Sequence, residues 1–300
     1  MSYTPSNANK DLLPPQALKR LEALKNSHTS SSLLSSSAHL STKLCGFTPV
    51  GEVMGCIVQN IGFSGYAGCG WYGGSYGYGT PNLYTTLYDG NNTGNWGGLN
   101  PYLSALHNGY NTALARMEAE AAALGADGVI GVTLKESRFE GGQREYVAMG
   151  TAIRSLGGLH TTNPFTTLLS GNDLAKLVSS GWIPKSILFA ISLGVKHDDY
   201  YTRMISSSLT YNSEMPAHTD LVNAVRNDAR LQLARMATRA GAHGVILSDK
   251  ITTEIHEIEI AEQHRDLVGM ANATGNAIVR YDAALEAKNF GSIRKTISLR

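Results

Sequence analysis

Charge is scarce in this chain. Asp, Glu, Lys and Arg make up 16% of its 300 residues, against about 25% in an ordinary soluble protein. The net charge is only +1. A nucleic-acid partner calls for a concentrated basic face, which so balanced a composition does not supply. With few charges, a large share of the surface is expected to lie between chains rather than in water. Cysteine is sparse as well. Cys45, Cys56 and Cys69 are an odd set without a close pair, which fits a reducing compartment better than a disulfide scaffold. Long apolar runs are missing. The longest, Ile183 to Val195, includes Lys185 and falls short of the ~20 residues of a membrane helix. The start, Met1 to Lys10, is polar and leads into a Leu18/Leu21/Leu24 pattern, not a signal core. A cytoplasmic protein is expected, with neither a membrane nor a nucleic-acid partner.

Catalytic signatures are absent too. Gly68-Cys69-Gly70-Trp71-Tyr72-Gly73 has the spacing of a dinucleotide fingerprint. That chemistry needs a helix to open there and present its amides to a pyrophosphate. The chain instead continues Gly74-Ser75-Tyr76-Gly77-Tyr78-Gly79-Thr80-Pro81, which cannot open one. No nucleophile and base pair up, so the expectation is a non-enzymatic protein with no catalytic residues.

What the chain does contain is repetition. Leu33-Leu34 and the stretch Leu44 to Pro49 line up with Leu168-Leu169 and Ser179 to Pro184, at an offset of 135 (181 − 46). Leu124-Gly125-Ala126-Asp127-Gly128-Val129-Ile130 matches Ala240-Gly241-Ala242-His243-Gly244-Val245-Ile246, at an offset of 116 (241 − 125). Met149 to Arg154 matches Thr274 to Val279, at an offset of 125 (275 − 150). The order of the blocks is kept, which reads as a tandem duplication of one module.

Each copy opens with a short helix, Leu33 to Leu44 or Leu168 to Val178, that ends at Gly46 or Gly181. A strand follows, Val50 to Ile61 or Lys185 to Val195. Next comes a long helix with one apolar stripe: Leu103, Leu106, Tyr110, Ala113, Met117, Ala121 and Leu124, or Leu221, Val225, Ala229, Leu233, Met236 and Ala240. Thr219 is a candidate N-cap for the second helix. The strands Gly128 to Leu134 and Tyr146 to Arg154 close copy one. Gly244 to Ser248, a hairpin arm Ile251 to Ala261 and Val268 to Val279 close copy two. The fold class is therefore α+β: two tandem β-α-β-β modules, each an antiparallel sheet covered by a long helix. The boundaries are a leader and Ser-rich linker at 1–32, module one at 33–155, a linker at 156–167, module two at 168–282 and a basic tail at 283–300. Lys288, Arg294, Lys295 and Arg300 make that tail basic.

The blocks Ala115 to Ala121, Leu124-Gly125-Ala126-Asp127-Gly128-Val129-Ile130-Gly131-Val132 and Met149-Gly150-Thr151-Ala152-Ile153 resemble the YbjQ-like family, which carries a heavy-metal-binding description. The resemblance covers Val50 to Arg154 well and Lys185 to Arg280 less well, with His243 in place of Asp127. It implies β-α-β-β subunits closing into a ring, typically a pentamer, with no enzyme activity. Taken with the low charge, it leads to a self-associating scaffold: a closed homo-oligomer of five chains.

Two sets of residues are candidates for binding. The loop Gly62 to Asn100 carries Tyr66, Trp71, Tyr72, Tyr76, Tyr78, Tyr84, Tyr88 and Trp96 on a glycine-rich backbone. Amphipathic aromatics supply interface area at small entropic cost, so the loop reads either as a surface for a protein partner or as a passive insertion. It holds no Lys or Arg to track phosphates. The alternative function is metal or small-ligand binding in module two, through His243, His256 and His264 with Glu257 and Glu259. This donor set suits a divalent transition metal such as zinc, though period-two alternation sets His256 on the opposite strand face from the two acids. Neither a Cys-x-x-Cys nor a His-x-x-x-His pair is present, so solvated or interfacial histidines are the competing reading and no cofactor is expected. Asp127, between a helix-ending glycine and a strand, is read as a structural acid that accepts backbone amides.

Overall fold

A computed structural model describes residues 13–26, 31–61, 86–88, 99–158, 160–197, 214–248, 251–261 and 264–281. Helix α1 spans Pro15–Asn26 and α2 spans Ser36–Leu44. The first unit continues with strand β1 (Phe47–Asn60), helix α3 (Asn100–Ala123) and strands β3 (Gly128–Arg138) and β4 (Gln143–Ser155). The second repeats that order with α4 (Gly171–Ser179), β6 (Trp182–His197), α5 (Pro216–Arg239), β7 (Gly244–Leu247), β8 (Thr252–Ala261) and β9 (His264–Arg280). Two short strands complete it, β2 (Thr86–Tyr88) and β5 (Phe165–Thr166). The fold is α+β, with a β-α-β-β unit on one sheet and, on the other, a second unit whose strand after the helix is divided into β7 and β8. The first sheet runs β1-β4-β3-β5; the second runs β2-β6-β9-β7, with β8 also on β9.

Local geometry repeats as the sequence does. Ser35 caps α2 by accepting the Ala38 N–H, and Ser170 caps α4 by accepting the Asp173 N–H, each at 3.3 Å. Both helices end at a glycine in the left-handed region, Gly46 (φ 83°) and Gly181 (φ 84°), where a Cβ would be strained. Both following strands carry a register shift at the same repeat position, Pro49/Gly51 and Pro184/Ser186. Helix α5 starts earlier than expected. Pro216 supplies a preset φ at the first turn, Met215 is the cap, and Thr219 lies inside the helix without capping it.

The layers stack as sheet, helix, sheet, helix. Alternate residues of β6 point to opposite faces. Leu188 and Ala190 lie on α5, against Leu221, Val225, Ala229 and Leu233. Ile187, Phe189, Ile191 and Leu193 join the core formed by α3 and the first sheet. Helix α3 is thus buried between both sheets, which explains the buried residues Tyr102 and Leu114 off its expected stripe; Ala119, also off it, is covered by Leu13 and Leu21 of the α1 region. Each Val or Leu so enclosed contributes about 1.5–3 kcal/mol.

Helix α3 also approaches β1 closely. A Cβ on Gly55 would lie 2.0 Å from the Ala113 carbonyl oxygen and 2.6 Å from the Met117 nitrogen. Gly55→Ala is therefore expected to push backbone from backbone and to destabilise by at least about 1–3 kcal/mol. The control Gly157→Ala, whose Cβ meets nothing nearer than 3.6 Å, is expected to stay within about 0.5 kcal/mol. Urea unfolding of both variants measures the difference, and equal stabilities overturn the packing account.

Candidate functional site

The most developed polar and aromatic arrangement lies where the two units meet. Tyr110 of α3 packs edge-on against Tyr146 with ring centres 4.8 Å apart, and against Phe189 of the second sheet at 5.0 Å. Its hydroxyl donates to Glu136 at 3.3 Å. Burial, then the Glu136 carboxylate, pushes the Tyr110 phenol well above its ordinary pKa, so it remains a neutral donor. Glu136 also receives Arg144 at 2.7 Å, and Arg144 reaches the Tyr102 hydroxyl. At the rim Arg138 of the first unit pairs with Glu254 of the second at 2.7 Å. The junction is a desolvated aromatic patch inside a charged border, the anatomy of a protein–protein interface.

Strand β5 completes the junction. The stretch just before α4 lies parallel to β3, Gly128 opposite Phe165 and Val129 opposite Thr166. Thr167 N–H donates to the Val129 carbonyl at 2.9 Å, and Gly131 N–H donates to the Leu169 carbonyl at 2.8 Å. The same stretch is tied to its own sheet: Leu168 N–H and the Thr167 hydroxyl both donate to Oδ1 of the fully buried Asn276. The sequence alone makes 156–167 a linker. Two residues carry no periodicity, so only the neighbouring edge makes them a strand.

Asp127 is held as expected of a structural acid. Its carboxylate accepts the Ser155 N–H at 2.7 Å, the Thr161 N–H at 2.9 Å and the His160 Nδ1 at 3.0 Å. Burial lifts its pKa, but those three partners outweigh burial and hold it below the usual carboxylate value. In the second unit His243 takes the same post: its Nδ1 accepts the Arg280 N–H at 3.0 Å. His243 is therefore occupied on one ring nitrogen by a backbone amide.

The remaining proposed metal residues lie elsewhere. His256 sits opposite Val268, Glu257 opposite Leu267, Glu259 opposite Arg265 and His264 opposite Ala261, all at the β8–β9 hairpin. His243 N–H bonds the Ile278 carbonyl, ten positions further along β9, or about 33 Å at ~3.3 Å per residue. His243 and His256 of one chain are thus too far apart to share an ion. His256 Nε2 is 3.5 Å from the Glu254 carboxylate, which Arg138 already holds. Among the described residues no three of His, Cys, Asp or Glu converge as an ion site. Of the aromatic loop, Tyr66, Trp71, Tyr72, Tyr76, Tyr78, Tyr84 and Trp96 lie outside the described residues. Tyr88 ends β2, whose backbone pairs with β6 at Leu193. This places a short strand within the stretch that the sequence alone makes a loop.

A cavity of about 370 Å³ lies at the free edge of β1, lined by Leu13, Ala17 and Arg20 from the α1 region, Cys56 of β1 and Arg116 of α3. Side chains satisfy this edge. Glu120 accepts the Met54 N–H at 2.8 Å and pairs with Arg20, and Arg116 donates to the Cys56 carbonyl at 2.6 Å. Burial raises the Glu120 pKa beyond what Met54 and Arg20 take back.

Because the folded pKa of Asp127 lies below its unfolded value, the carboxylate stabilises the fold above the ordinary carboxylate range. That contribution fades as pH falls through the lowered value. Asp127→Asn is expected to cost about 1–3 kcal/mol at neutral pH, with the gap to wild type narrowing in acid. Urea unfolding across a pH series reads this, and a gap that stays constant into acid excludes the charge as its origin.

Comparison with known proteins fits this geometry. The YbjQ_1 family model, described as "Putative heavy-metal-binding", matches residues 82–155, within the first unit. The UPF0145 protein NP_2600A of Natronomonas pharaonis is 44% identical over 58 residues, 19% of this chain and 56% of that protein. Encapsulin nanocompartment protein Rv1762c of Mycobacterium tuberculosis is 31% identical over 242 residues, 78% of this chain and 81% of that protein. No solved structure matches the chain. The mycobacterial match covers more than three quarters of each of the two proteins, and the chain belongs to the family of that protein.

Proposed function

We propose that this protein is a non-enzymatic cytoplasmic scaffold that associates with copies of itself into a closed homo-oligomer of five chains, built from duplicated YbjQ-like units. The observation that carries the reading is the junction within the chain. One unit docks on the other through an aromatic helix face and an added strand, so the unit has surfaces made for its own kind. The name of the mycobacterial relative, a nanocompartment protein, supports self-assembly, as does the low charge content of 16%. Ring closure would also cover sheet edges that a lone chain leaves open. The loop from Gly62 to Asn100 is assigned the part of a partner-facing surface.

Light scattering on the purified chain is expected to give five times the chain mass. A particle of single-chain mass at micromolar concentration overturns the scaffold reading. In the same experiment, replacing Trp71, Tyr72, Tyr76 and Tyr78 with Ser is expected to change particle size or higher-order association. No change makes the loop a passive insertion.

A second reading follows from the family model's description, "Putative heavy-metal-binding", with His256, Glu257, Glu259 and His264 of the β8–β9 hairpin as its candidate residues. A divalent transition metal such as zinc is the ligand this set would take. Elemental analysis of untagged protein is expected to find close to one equivalent per chain, with a zinc-dependent rise in melting temperature. Less than about a tenth of an equivalent and no rise in melting temperature removes this reading.

A further inference from the structure

The chain contains its docking surfaces twice and uses one set. The stretch before α4, Thr166-Thr167-Leu168-Leu169-Ser170, has a counterpart before α2, Ser31-Ser32-Leu33-Leu34-Ser35. Both stretches are anchored inward at equivalent points. Leu168 N–H donates to Asn276, and Leu33 N–H donates to the Thr151 hydroxyl at 3.1 Å; 276 and 151 are repeat partners. Outward they differ. The first stretch completes the edge of β3, whereas among the described residues no backbone bond joins 31–34 to a strand.

The receiving edge shows the same imbalance. Strand β7 is the counterpart of the start of β3, and among the described residues its only strand partner is β9. Val129 and Ile130 are fully buried, while Val245 and Ile246 are only partly covered and Leu247 is 48% exposed. The first sheet's free face matches them: Val58 is 55% exposed where its counterpart Leu193, under α3, is 1%. Among the described residues, a donor segment and an acceptor edge without strand partners thus occur on one chain, and the used pair shows how they fit.

We infer that chains join head to tail, residues 31–34 of one copy adding alongside β7 of the next as β5 adds to β3. This rests on the self-assembly reading above and names its interface. Ser32 N–H of one copy donates to the Val245 carbonyl of its neighbour, as Thr167 does to Val129. The contact is heterologous, so it repeats from chain to chain until the rotation closes a ring. The two junctions are not identical. Leu174 and Val178 of α4 pack at the internal one, where α2 carries His39 and Lys43. Gly131, at φ 61° beside a register shift of β3 between Ile130 and Thr133, is replaced by Leu247. The joint between chains is the shorter and more polar of the two.

Two variants test this. Val245→Pro removes the outward N–H of an edge strand, a position where proline is tolerated. Ser32→Pro removes the donor on the opposite surface and lies outside both sheets. Each variant alone is expected to be a folded single chain by circular dichroism and light scattering. Their equimolar mixture is expected to form pairs, since the intact donor of one meets the intact edge of the other. A folded variant that keeps the wild-type particle size, or a mixture of folded variants that forms no pair, overturns the head-to-tail interface and leaves self-assembly standing. Should Val245→Pro fail to fold, Ser32→Pro is titrated into wild type. Smaller assemblies are expected, because that chain accepts a neighbour but offers none, and unchanged assemblies overturn the inference. If wild type is itself a single chain, the assembly reading falls first.

Discussion

A β-strand at the border of a sheet carries a row of N–H and C=O groups that something must satisfy, and this fold is organised around how each border is met. Side chains meet the β1 border: Glu120, Arg116 and Arg20 bond the backbone at Met54 and Cys56. Backbone meets the β3 border, through a short segment borrowed from the following unit. The two solutions have different reach. Side-chain capping ends a sheet within one unit, whereas strand addition ties a unit to whatever comes next.

Strand addition also sets the layer order. With β5 laid on β3, the β6–β9 sheet comes to rest on the outer side of α3, and that helix is enclosed by Val53, Tyr146 and Ala148 on one side and Phe189, Ile191 and Leu193 on the other. The two long helices are equal in length, 24 residues each, yet they differ in this respect. Helix α5 buries a single row, Leu221, Val225, Ala229 and Leu233, and keeps Arg230 and Arg235 exposed.

Much of this was legible in the residues. Gly46 and Gly181, Gly125 and Gly241, and the apolar rows on the long helices place the elements and their order, because each is a local signal. The extra enclosure of α3 was present too, as Tyr102 and Leu114 off the main row, but what they face is set by a segment more than sixty residues away. Strand β5 escaped because Phe165 and Thr166 become a strand only through β3. The exchange of Asp127 for His243 was visible as a substitution. That both side chains accept the amide opening the same turn, at Ser155 and Arg280, needed the folded backbone. The histidines looked like a cluster because His243 and His256 are close in sequence, whereas β9 is 17 residues long and sets them far apart.

The enclosure of α3 has a consequence for synthesis. A ribosome releases α3 before β6 and β9 exist, so the face that meets Phe189 and Met270 stays uncovered until roughly 150 further residues have been made, about 8–30 s at ~5–20 residues per second. During that interval the nascent first half is a helix lying on one sheet with an apolar side turned to water. The N-terminal half therefore cannot mature ahead of the C-terminal half. A chain interrupted between the units would leave an unfinished, adhesive intermediate rather than a smaller version of the whole.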